Sequence, residues 1–196
     1  MNGFEKVKKK KKQAIKAAAL ELFFKYGYKE VKIEDIAKQA KVSQVTIYNH
    51  FGSKDALFRE LIQEFTIQEV HYYEELFTSD LSFQEKIHRI MTRKLQSVTR
   101  LHPEMIEQAM QTDEELRNFL FTYQMEKALP LFLHFIEEAQ QKKEINPDLS
   151  KEMILLYINT FSKMSDQFVA HLVGEHREQQ TKEILTMFFY GLSNPN

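Results

Sequence analysis

The 196-residue chain has no cysteine and no tryptophan. Without thiols it can form no disulfide framework, thiolate metal site, iron–sulfur cluster or cysteine nucleophile, a usage that fits a reducing cytoplasm. Glycine and proline are scarce, with five and four residues. That leaves too few turn formers for a many-stranded sandwich or barrel, so the expected fold class is all-α. Long apolar runs are missing too. Lys16 and Glu21 interrupt the stretch 14–24 that follows the basic start, which argues against a secretory signal. The run 128–133 is far short of the roughly 20 residues needed to span a bilayer. A soluble, cytoplasmic protein is expected.

What is present is ordinary globular composition, 43% hydrophobic and 28% charged, enough for a packed core. The net charge of −1 conceals a separation. Residues 1–60 carry 14 Lys+Arg against 7 Asp+Glu, and residues 61–196 carry 13 against 21. A basic head of 60 residues on a larger acidic body suggests a polyanion-binding domain, 1–60, joined to a domain with another task, 61–196.

Apolar residues at 14, 15, 18, 19, 22 and 23 recur at helical spacing, so a helix is expected over 10–26, preceded by a basic arm, Lys8 to Lys12, and closed by Gly27. A second helix is expected over 33–40 and a third over 44–50, with Ser43 as N-cap because its hydroxyl can accept an orphan backbone N–H. Gly52-Ser53 stops that helix and caps the next. Beyond it, helices are expected near 54–77, 83–100, 103–111, 113–143, 148–174 and 178–191. Ser82-x-x-Glu85 and Thr112-x-x-Glu115 read as capping boxes, Asp148 or Ser150 could cap the helix after Pro147, and Pro130 should kink the long segment around it.

The helices 33–40 and 44–50, joined by Lys41-Val42-Ser43, have the size of a helix-turn-helix. At about 100° per residue, Ile47 and Phe51 fall on one side, facing a core. Val45 and Asn49 then point outward, flanked by Gln44 and Tyr48 on one shoulder and Thr46 and His50 on the other. This face offers amides and hydroxyls for base edges, an apolar group for a thymine methyl and a phenol for phosphate, with no carboxylate to repel DNA. Lys54, expected exposed at the next helix start, could pair with a phosphate beside the backbone N–H groups there. A bare helix pair is more often packing, and a lysine run more often a solvated tail. Their conjunction with an uncharged outward face points to DNA.

Leu22-Phe23, Tyr26-Gly27-Tyr28, Ile33-x-x-Ile36-Ala37, Val42-Ser43, Thr46-Ile47-Tyr48-x-His50-Phe51 and Lys54-x-x-Leu57 together resemble the TetR family of transcriptional regulators. The resemblance spans 17–61. It implies a homodimeric repressor with a three-helix N-terminal head on an operator and a C-terminal helical body that binds a small inducer and the second subunit. Carried over by position, Gln44, Val45, Thr46, Tyr48, Asn49 and His50 are expected to touch DNA, with Tyr48 and Lys54 on phosphates. Two positions depart from the pattern. Lys41 stands where many members have Gly, and Lys32 where a Ser or Thr cap is common; each substitution forfeits about 1 kcal/mol if the backbone is left-handed or the cap is lost.

In the body, Ile154, Ile158, Phe161, Phe168 and Leu172 form one stripe and Ile184, Leu185, Phe188 and Leu192 another. From periodicity alone these serve equally a four-helix dimer interface or packing within one chain, and the resemblance favours the dimer. Residues 61–196 hold 11 Phe, 5 Tyr and 7 Met, a composition suited to an adaptable apolar cavity as well as to core. Met91, Leu95, Phe121, Met125 and Phe161 are the candidate pocket residues, and His88, Tyr123 and His134 the candidate polar contacts. An enzyme is not expected. There is no Gly-rich phosphate loop, no His-Glu-x-x-His and no nucleophile elbow. The lone Glu85-x-x-His88 is half of a di-iron pattern, and His171 and His176 do not share a helix face. No cofactor and no metal are expected. The alternatives are a helical adaptor or membrane-surface protein using the basic arm, or a helical metal enzyme.

Overall fold

A computed structural model of the chain describes residues 3–98, 109–157, 159, 160, 179, 183, 186 and 187; the side chains at 4, 91 and 94–98 lie outside that description. The described residues are helical with no strand. The elements are α1 (Gly3–Tyr26), α2 (Ile33–Ala40), α3 (Gln44–Phe51), α4 (Lys54–Thr78), α5 (Phe83–Val98), α6 (Glu114–Tyr123), a π-helical segment (Gln124–Ala128) and α7 (Leu129–Gln141). Residues 109–112 and 151–157 are also helical.

The helix ends follow local chemistry. Gly27 takes a positive φ of 82° and its N–H closes α1 on Phe23 O at 2.9 Å. Ser43 caps α3 by accepting from Thr46 N–H at 3.1 Å, and Ser53 caps α4 by accepting from Ala56 N–H at 3.0 Å. Ser82 and Glu85 form the expected reciprocal box: Glu85 N–H donates to Ser82 Oγ at 3.3 Å and Ser82 N–H to Glu85 Oε2 at 3.0 Å.

Four expectations are corrected. The lysine run is not an arm ahead of a helix starting at 10, because α1 already begins at Gly3. The cap after residue 112 is Asp113, whose Oδ1 accepts from Leu116 N–H at 2.9 Å, while the Thr112 hydroxyl turns back to Ala109 O. Ser150 is the cap of the next described helix: Met153 N–H donates to its hydroxyl at 3.2 Å, so that helix starts at 151 and not 148. The stretch 113–143 is not one kinked α-helix. It widens into a π turn in which Leu129 N–H reaches Gln124 O, five residues back. Pro130 follows at once, with no N–H to donate and a ring that crowds the preceding turn, and the wider turn accommodates both.

The chain divides into two compact units, Met1–Glu69 with Arg100–Phe121, and Val70–Thr99 with Thr122–Asn196. In the first, Ile15, Ala19 and Phe23 of α1, Ile36 of α2, Ile47 of α3 and Leu57 and Phe58 of α4 close one core, joined by Leu116 of α6. Phe23, Tyr28 and Phe58 meet there as three rings with centroids 4.8–5.5 Å apart. In the second, Phe77, Phe83, Ile87, Phe135, Ile136, Ile145 and Ile154 form the core, with the Phe77 and Phe135 rings stacked at 4.2 Å. The buried Lys86 stays solvated by donating to Phe77 O at 2.7 Å, one of the orphan carbonyls at the end of α4. Ile154 is thus packed within its own chain. The other residues of the two terminal stripes lie outside the described residues.

Candidate nucleic-acid interface

The turn between α2 and α3 is a Schellman closure built without glycine. Lys41 is left-handed, φ 54° and ψ 45°, as the departure at this position required. Val42 N–H bonds Ala37 O at 3.0 Å and Lys41 N–H bonds Lys38 O at 3.3 Å, and the Val42 side chain packs on the head core. At the other end of α2, Lys32 supplies no side-chain cap. Its own N–H is satisfied by Asp35 Oδ2 at 2.9 Å, so half of the capping arrangement survives.

This closure sets the azimuth of α3. Ile47 and Phe51 are buried, and Gln44, Val45, Tyr48 and Asn49 are exposed, with Thr46 and His50 half-buried, as the wheel requires. Val45 is 65% and Tyr48 49% exposed, large values for an apolar and an aromatic group on a helix whose opposite side is core. The Thr46 hydroxyl is engaged 2.8 Å from Ser43 Oγ, which fixes its rotamer at the cap. His50 is held below its ordinary imidazole range by burial first, and then by the charges of Lys8, Lys12 and Lys11. It is neutral at pH 7, one ring nitrogen donating and the other accepting.

Lys54 is placed differently from the expectation. It is half-buried, and its ammonium donates to Tyr28 O and Val31 O, each at 3.0 Å, while lying 4.3 Å above the Tyr28 ring. Burial lowers its pKa. An ammonium has three donors, so one hydrogen remains for a ligand. Tyr28 also hydrogen-bonds Asp55 through its hydroxyl. Lys54 therefore ties the loop 27–32 to the start of α4.

Sequence reasoning missed two sets of residues in this unit. Lys12 and Lys16 of α1 are bound to Glu60 of α4, with Lys12 Nζ 2.6 Å from Glu60 Oε1, and Lys16 also holds Glu64. Arg59 donates from Nε to Asp113 Oδ2 at 2.8 Å and also pairs with Glu115. These pairs join residues 44 to 56 positions apart, and no local pattern announces them.

In the second unit an apolar cavity of about 200 Å³ is lined by Val70, Tyr73, Phe77, Ile90, Ala128, Leu131 and Phe132. Neither Phe121 nor Met125 lines it. They are 66% and 47% exposed on the single chain. Met91, Leu95 and Phe161 lie outside the described side chains. His88 and His134 are exposed and Tyr123 is half-buried. Among the described residues no group of three or more His, Asp or Glu side chains could hold a metal, and no described helix is long and apolar enough to cross a membrane.

Residues 15–61 match the family described as bacterial regulatory proteins, tetR family. No curated protein matches the chain in sequence. In fold, the chain is similar to a structure described as a TetR-family transcriptional regulator from Mesorhizobium loti MAFF303099, at a TM-score of 0.69 and 16% identity over 95% of this chain and 98% of that one. It is similar to the transcriptional regulator FadR from Bacillus subtilis, solved in complex with stearoyl-CoA, at a TM-score of 0.60 and 21% identity over 91% and 98%. A transcriptional regulator from Aquifex aeolicus VF5 matches at a TM-score of 0.63 and 22% identity over 93% and 97%.

Proposed function

We propose, from the match of residues 15–61 to the tetR family of bacterial regulatory proteins and from a fold similar to that of a TetR-family transcriptional regulator, that the chain is a homodimeric repressor released from its operator by a small, largely apolar inducer. The observation that carries the DNA reading is the uncharged, outward face of α3 on a basic head. Gln44, Val45, Thr46, Asn49 and His50 read base edges in the major groove, and Tyr48 and the third ammonium hydrogen of Lys54 contact phosphates. Two heads of a symmetric dimer enter successive major grooves of a pseudo-palindromic site.

The body, residues 61–196, takes the inducer and the second subunit. The apolar walls of the cavity at Phe77, Ile90, Leu131 and Phe132 support an apolar ligand class, and the stearoyl-CoA bound to the Bacillus subtilis regulator supports it by analogy. Ligand binding favours a head separation that no longer matches the grooves.

The test is fluorescence anisotropy on duplex from the gene's own upstream region, against a scrambled duplex, across a salt series. Sequence-dependent retention is expected, and Tyr48→Ala with Lys54→Ala weakens it by about tenfold or more. Wild-type affinity in that double variant sinks the assignment of contacts. Equal affinity for both duplexes sinks the operator. Light scattering tests the dimer, a mass near twice 23.3 kDa being expected.

A further inference from the structure

We propose that residues 3–12, the first turns of α1, form a second DNA-contacting element, a basic helix that grips backbone phosphates beside the C-terminal end of α3. The proposal rests on the reading that α3 faces a duplex, and it adds a site outside the family-matched residues 15–61.

Apart from Lys12, the described side chains of this stretch take no part in the packing of the head. The α1 residues of the core begin at Ile15. Lys6, Lys8, Lys9, Lys10 and Lys11 are all exposed, and Val7 is 54% exposed. Among the described residues none of these five lysines is paired with a carboxylate. As a free helix the stretch is self-opposed. Lysines at spacings of three and four repel one another, at 6 and 9, 6 and 10, 8 and 11, 8 and 12, and 9 and 12. Cations in a first turn also oppose the helix dipole. A polyanion laid along the helix removes both penalties.

Lys12 is pinned, its ammonium 2.6 Å from Glu60 Oε1 and 5.3 Å from the centroid of the Phe51 ring that ends α3. A lysine fixed there places Lys8 and Lys9, four and three residues earlier, one helical turn further along the same side. The half-buried imidazole of His50 in α3 is depressed by burial first and then by the charges of Lys8, Lys12 and Lys11. At about 1.5 Å per residue the backbone from Lys12 back to Lys6 spans roughly 9 Å before long lysine side chains are added, enough to meet phosphates flanking the bases under α3.

The partner is a duplex and not a lipid surface. A membrane-lying helix needs an apolar face opposite its charges, whereas residues 3–12 contain only two large apolar side chains, Phe4 and Val7, among six lysines. Lysine ammoniums on a flexible stem are point charges suited to phosphate oxygens in any sequence. This element therefore supplies affinity without discrimination, and α3 supplies discrimination.

The experiment uses the full chain with Lys8, Lys9 and Lys11 changed to Gln, a good helix former, and a second variant with the body lysines Lys127, Lys142 and Lys143 changed to Gln. Both lose the same charge. Binding of a fluorescent scrambled duplex is followed across a sodium chloride series. In the helix variant the slope of log K against log salt is expected to fall by about 2 to 3, at roughly 0.9 per phosphate contact, with an affinity loss of about tenfold or more near 0.1 M salt. The body variant keeps the wild-type slope, and Arg at 8, 9 and 11 restores it. An unchanged slope in the helix variant overturns the proposal, and so does an equal fall in the body variant. Tighter lysine-dependent binding to phosphatidylserine vesicles than to duplex at the same salt assigns the helix to membranes and overturns it too. If the slopes behave as expected but the upstream duplex is not preferred over the scrambled one, the basic helix stands and the operator reading fails.

Discussion

Lys41 shows how much a single backbone angle decides. A left-handed L-residue costs about 1–2 kcal/mol, and glycine relieves that while adding unfolded-state entropy of about 0.4–1 kcal/mol. Lys41→Gly is therefore expected to stabilise the head by up to about 1 kcal/mol, read as a higher urea midpoint at an unchanged m-value. His50 supplies a second test at this scale. Its pKa is depressed in the free protein by burial and by Lys8, Lys12 and Lys11, and nearby phosphates favour the imidazolium. DNA binding should then take up a proton, so affinity rises as the pH falls from about 8 to about 6. His50→Gln should flatten that dependence in anisotropy titrations.

At the scale of elements, α1 and α4 are joined by charge as well as by core. Burial pushes the Glu60 carboxyl up, but hydrogen bonds from Lys12 and Lys16 outweigh it and hold the group below the ordinary carboxylate range. Asp113 behaves likewise: burial raises it, while the Leu116 N–H and Arg59 bring it down. A depressed carboxylate contributes stability that is present above its unfolded pKa and lost as the pH falls through its folded one. The head should therefore melt at lower temperature below about pH 4, and Glu60→Gln should blunt that loss in circular-dichroism melts. The π segment makes a different prediction. Pro130→Ala restores a donor and removes a ring clash, so it should stabilise the second unit by up to about 3 kcal/mol, less whatever the wider turn has already relieved. Amide exchange at 124–130 should slow accordingly.

These elements also show why some features were legible in the sequence and others were not. Gly27, Gly52, Ser43 and the Ser82–Glu85 box act within four residues, so their chemistry is written locally. The buried and exposed faces of α3 followed from a wheel because that helix is short and regular. The helix expected over 113–143 assumed constant pitch, and the π turn at 124–128 breaks it. Phe121 and Met125, candidates for the pocket from that stretch, are exposed on the single chain. Lys54 was expected in solvent because its partners, the carbonyls of Tyr28 and Val31, lie 26 and 23 residues away. No spacing rule reaches that far.

On the scale of the whole molecule, the near-neutral total hides 14 Lys+Arg against 7 Asp+Glu in the first 60 residues and the reverse excess after them. The exposed lysines at the start of α1 bear on time as well as on affinity. A contact that ignores sequence and exchanges ions at every step lets a protein stay near a duplex between specific encounters, sliding and hopping instead of returning to bulk solution. Its arrival at a site is then quickened by every flanking base pair. For this chain, association with the same site should be faster in a long duplex than in a short one, and the Gln changes at 8, 9 and 11 should erase most of that difference in stopped-flow traces at low salt. The lysine helix would thus act as the antenna of the head, shortening the search while leaving the choice of address to α3.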